Sequence, residues 1–135
     1  MNWKYIKPLK NENAIKEFEE TYNFVFPDSF KEIVKKNNGA RPEMDIYDTN
    51  ITKERTIKSL LSFNKDDKES IWKIAEWNKG ELNEKFIAFA IDHFGNLICF
   101  HINDGTIIFV DMENLKTEMI ADDFSCFLNK LYIMD

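Results

Sequence analysis

A chain of 135 residues is the size of one domain, and a hydrophobic fraction of 44% with twelve phenylalanines excludes the composition of a disordered segment. A formal net charge of −6 has the wrong sign for a protein that draws its affinity from neutralising phosphates. Nucleic acid is therefore not an expected partner, whereas a basic protein is.

From Asn11 to Tyr22, Ala14, Ile15, Phe18 and Tyr22 recur at helical spacing among Glu12, Lys16, Glu17, Glu19 and Glu20, which predicts an amphipathic helix with an acidic outer face. Pro27 suits a first helical position, and Ser29 with Glu32 fits a capping box; either opens a second helix with Phe30, Ile33 and Val34 inward. Asn38-Gly39 closes it. Beyond Pro42 the helical period is lost, and short strands are expected near residues 44 to 47 and 55 to 62. The charged loop Lys65-Asp66-Asp67-Lys68-Glu69 precedes a short helix capped by Ser70, with Ile71, Ile74 and Ala75 as its core face and Trp72 and Trp77 flanking it.

Three consecutive strands follow. Phe86 to Ile91 is an apolar run of strand length, read as covered on both faces. A turn at 92 to 96 leads to Leu97–Ile102, where Leu97, Cys99 and His101 share one face and Ile98, Phe100 and Ile102 the other. Asp104-Gly105 fits the centre of a two-residue type I′ turn before the returning strand 106 to 111. Last comes a helix capped by Asp122 or Asp123, with Phe124, Phe127, Leu128 and Leu131 packing across the sheet. Together these elements predict a single α+β domain over residues 1 to 135, a mixed and mostly antiparallel sheet with helices packed against it.

Sites for chemistry are sparse. His93 lies beside Asp92 in a turn, and neither His93 nor His101 has ligand spacing, so a solvated turn residue and a satisfied strand residue are the expected roles. Cys99 and Cys126 sit in apolar runs without CxxC, which reads as two buried free thiols in a reducing compartment. The four glycines are isolated, there is no GxSxG, and Asp66-Asp67-Lys68-Glu69 lacks the spacing of a calcium loop. Neither an enzyme nor a cofactor or metal is expected. The stretch Met1 to Pro8 shows no secretory signal, and no apolar run approaches the roughly 20 residues of a membrane span, so the expectation is a soluble, cytoplasmic protein with no membrane partner. What remains is binding surface. Trp72, Trp77 and Phe94 are large aromatics, and Asp92, His93 and Asp104 ornament the turns; these six are the candidate partner-binding residues.

Two blocks carry a resemblance. Phe26-Pro27-Asp28-Ser29-Phe30-Lys31-Glu32-Ile33-Val34 running to Asn38-Gly39-Ala40-Arg41-Pro42, and Phe89-Ala90-Ile91-Asp92 leading through Gly95-Asn96 to Asp104-Gly105, together resemble the SUKH superfamily of Smi/Knr-type proteins. Phe26 replaces the usual Leu and Ala40 the second Gly, while Asp111-Met112-Glu113 stands where a tryptophan and a histidine are often seen. The resemblance implies an α+β fold and a non-enzymatic role. Bacterial members are commonly immunity proteins that bind and neutralise polymorphic or contact-dependent toxins, often nucleases; a regulatory module with an endogenous partner is the alternative. The motif residues are largely structural, so the resemblance implies no catalytic residue.

Overall fold

A computed structural model describes residues 1–134, with the two longest helices in the first third of the chain and most of the strand residues after it. Strand β1 (Trp3–Lys4) is followed by α1 (Ala14–Tyr22), α2 (Asp28–Asn37) and β2 (Arg41–Pro42), which pairs back with β1. Next come β3 (Ile46–Tyr47) and β4 (Arg55–Thr56), a small antiparallel pair, and β5 (Ser59–Leu60). Helices α3 (Ile71–Trp77) and α4 (Glu81–Lys85) then lead into β6 (Phe86–Ile91), β7 (Leu97–His101), β8 (Ile107–Val110) and β9 (Thr117–Ala121), before α5 (Phe124–Lys130). Strands β5 to β9 form one sheet in sequence order, every neighbouring pair antiparallel. This is the expected α+β architecture.

Alternation along the strands gives the sheet two unlike faces. Ile87, Phe100 and Ile107 stand in register on the helix side, all buried. Phe30 of α2 is the hub there: its ring lies 4.9 Å from Phe26, 5.6 Å from Phe89, 5.3 Å from Phe100 and 5.2 Å from Phe124. Phe18 of α1 packs behind, against Phe26 and Phe63. Across the opposite face runs the row Ala88, Cys99, Ile108 and Met119, of which only Cys99 is fully buried. The expectation that β6 is covered on both faces therefore fails for Phe86 and Ala88, which stay partly exposed because antiparallel strands need only one packed face.

Several local expectations are corrected. Helix α1 starts at Ala14 rather than Asn11, because the Asn11 side chain takes the Asn13 amide in a turn before the helix. Ser29 does not cap α2, which starts at Asp28 with no side-chain cap bond. The strand expected over 55 to 62 is two pieces, β4 and β5, which join different sheets, and only Ile46–Tyr47 of 44 to 47 is paired. Asp104-Gly105 is not a type I′ turn: only Gly105 has positive φ, at 74°, and its amide donates to the His101 carbonyl across a longer loop. Cys126 is exposed, since the buried face of α5 belongs to Phe124 and Phe127; Cys99 alone is a buried thiol. Ser70 and Asp123 cap α3 and α5 through the Trp72 and Cys126 amides, at 3.1 and 2.7 Å.

One buried amide joins three distant segments. Asn38, 1% exposed, donates from Nδ2 to the Lys7 carbonyl at 2.7 Å and to Ser62 Oγ at 3.0 Å, and its Oδ1 accepts the Phe63 amide at 2.8 Å. Gly39 follows at φ 67°, a left-handed turn that favours glycine, and a Cβ there would stand 3.2 Å from the Lys7 side chain, which would have to give way slightly. Elsewhere the Tyr47 hydroxyl is buried with no hydrogen-bond partner among the described residues. The two sites predict opposite responses. Asn38→Ala strands the Phe63 amide and lowers unfolding free energy by about 3 kcal/mol, whereas Tyr47→Phe removes an unsatisfied group and leaves stability unchanged or raised by about 1 kcal/mol. Urea unfolding of both variants checks this; equal losses would contradict it.

Candidate functional site

The six candidate residues do not form one patch. Trp72 is half-buried: its indole N–H donates to the Phe63 carbonyl at 3.1 Å, its ring meets Phe18 edge-on at 5.1 Å, and the Lys65 ammonium lies 4.4 Å over it. Asp92 is only 7% exposed, and one of its oxygens accepts the Phe94 and Asn96 amides, both at 2.8 Å, which closes the β6–β7 turn. Both residues therefore serve the fold. Phe94 is 86% and Trp77 70% exposed, and His93 is exposed beside Phe94. Asp104 sits at the other end of β7 from Phe94; five strand residues hold the two turns more than about 13 Å apart.

Several titratable side chains are engaged in structural bonds. Asp104 accepts the Thr106 amide at 3.0 Å and its hydroxyl at 2.8 Å, bonds that hold its carboxyl below the ordinary value. His101 Nδ1 accepts the Asn103 amide at 3.2 Å and is 3.7 Å from Asp104, so the pair lacks the donated proton of a catalytic dyad. Burial pushes the Cys99 thiol far up, and the Asp123 carboxylate, by hydrogen bond and then by charge, raises Cys126; neither is a ready thiolate. Among the described residues, no three His, Cys, Asp or Glu side chains stand together as metal ligands. None of the described helices is long and apolar enough to cross a membrane.

One of two concavities of similar size lies where no candidate was expected. A groove of about 470 Å³ opens between residues 48 to 50, β9, α5 and Tyr132. Its walls are fixed by named bonds. Asn50 donates its amide to the Met119 carbonyl at 2.9 Å and accepts the Met119 amide on Oδ1 at 3.0 Å, so a side chain and a backbone together mimic one more strand pairing. Tyr132 donates its hydroxyl to Asp48 at 2.7 Å, and Lys130 Nζ reaches the Ile120 carbonyl at 2.7 Å. The polar turn Asp48-Thr49-Asn50 was a visible signal, but the groove also needs β9, and residues 112 to 121 carry no expected element.

Behind this wall lies the strongest ion pair. Arg55 grips Glu118 with Nε and Nη2 at 3.0 and 2.8 Å, its guanidinium lies 3.8 Å over the Phe109 ring, and Thr49 donates to Glu118 at 2.6 Å. The Arg55 bond above all holds the Glu118 carboxyl at about 2, against an ordinary 4.5. A carboxyl lowered on folding stabilises fully above its unfolded value and loses that contribution as pH falls towards its folded one. Stability should therefore drop between pH 4.5 and 2 by about 2 kcal/mol more in the wild type than in Glu118→Gln, a difference that pH-dependent urea titration reads. Parallel curves for the two proteins would refute this role.

An antiparallel meander with helices packed against it, its candidate residues dispersed and its groove lined by none of them, defines an α+β fold with no assembled catalytic constellation among the described residues. The chain belongs to the SMI1 / KNR4 family (SUKH-1), whose pattern it matches over residues 11–130. No curated protein matches it.

Proposed function

We propose that this protein is an immunity protein, which binds a cognate toxin domain of nuclease type and blocks its active site or substrate groove. Family membership over residues 11–130 is the observation that carries this reading. The net charge of −6 supports it, because a nuclease domain must present basic surface to its own substrate, and complementary potential accelerates encounter. Binding of this kind requires no catalytic residue, only a rigid surface, and inhibition follows from occlusion.

Coexpression with the toxin domain encoded beside this gene tests the proposal. Growth should be restored, the two chains should copurify, and the association rate should fall as salt rises. Continued killing with no complex would overturn it.

A further inference from the structure

We infer that the groove between residues 48 to 50, β9 and α5 is where the toxin domain docks, and that it receives a lysine or arginine side chain from an extended segment of that domain. The inference rests on the immunity reading and adds to it a place and a chemistry of contact. Size is the first argument: about 470 Å³ exceeds any one side chain and falls within the range of clefts that bury a ligand.

Charge is the second. Asp48 and Asp122 line the groove against one lysine, Lys130, whose ammonium is held on the Ile120 carbonyl, so carboxylates outnumber cations in the lining. Two protonable groups inside are raised by neighbouring carboxylates. Tyr132 is pushed up to about 12 by its hydrogen bond to Asp48, and Cys126 is raised by Asp123 and, more weakly, by Asp122. A site that holds neighbouring protons this firmly favours a cation and repels a carboxylate or phosphate.

Rigidity and surroundings complete the case. Loop 48 to 52 is tied to β9 by the Asn50 and Thr49 bonds, so the groove exists before a partner arrives and little order is lost on binding. Ile51 is 72%, Ile133 51% and Met134 53% exposed, each within two residues of a lining residue. Close to the groove in sequence, they would help exclude water from a charged contact once a partner docks, which makes a single ion pair matter in an interface. The Phe94 tip, by contrast, offers one exposed ring with its neighbouring carboxylate, Asp92, turned inward.

Cys126 makes the test direct, since the other cysteine is fully buried. Using the toxin domain encoded beside this gene as probe, maleimide labelling at about pH 8 should modify Cys126 in the free protein and fail in the complex. Asp122→Lys should melt as the wild type does yet raise the Kd about tenfold or more; Asp122→Asn should move it the same way by less, and Phe94→Ser should leave it unchanged. Wild-type affinity in Asp122→Lys, or full labelling of Cys126 within a formed complex, would overturn the docking site while leaving the immunity function intact. No complex with the wild-type protein would remove both.

Discussion

The contacts that join α2 and α5 to the sheet converge on the Phe30 ring. It is fully buried and met by rings from the α1–α2 link, β6, β7 and α5, so one side chain sets the distance between α2 and the sheet and the depth at which α5 lies. Aromatic edges facing ring faces give these contacts a preferred geometry beyond their burial: the Phe30–Phe100 and Phe30–Phe124 planes stand at 85° and 89°. A shift of α2 would break several such contacts at once, and in a close-packed interior no gradual compromise is available.

Polar constraints then position the segments that the apolar core leaves free. Asn38 after α2 holds the segment at Lys7 and the loop after β5, while the Arg55–Glu118 pair clamps the β3–β4 hairpin across the far end of the sheet. Apolar contacts alone do not specify such loops, because burial is indifferent to direction; a bidentate guanidinium or a three-bond amide is not. The functional consequence follows from placement. By fixing loop 48 to 52 against β9, the clamp makes a groove out of what would otherwise be an exposed sheet edge.

Much of this was legible in the amino-acid sequence. The stripe Ala14, Ile15, Phe18 marks α1, Ser70 and Asp123 mark two helix starts, and the turn residues between 92 and 106 mark the meander, because each states a local physical requirement. Strands β1 and β2 were not legible, being two residues each and defined only by one another. Strand β9 hid for another reason: Glu118 lies on a half-buried face because Arg55 comes from a distant hairpin to meet it, and a register shift beside Ile107 breaks the alternation. The candidate site suffered most. An aspartate in a turn and a tryptophan beside a helix stripe look alike whether they face a partner or the interior, and Asp92 and Trp72 face the interior because backbone donors and a carbonyl are waiting there.

The proposed function calls for an acidic domain with a preformed groove, and the groove between residues 48 to 50, β9 and α5 is built by tertiary bonds. Hydrogen exchange of the protein alone and with a toxin domain that it protects against tests the docking proposal most directly, since amide protection reports the covered segment without mutation. The account predicts slowed exchange confined to residues 48 to 52, 119 to 122 and 126 to 132. Protection at residues 93 to 96 with the groove segments unchanged would contradict it.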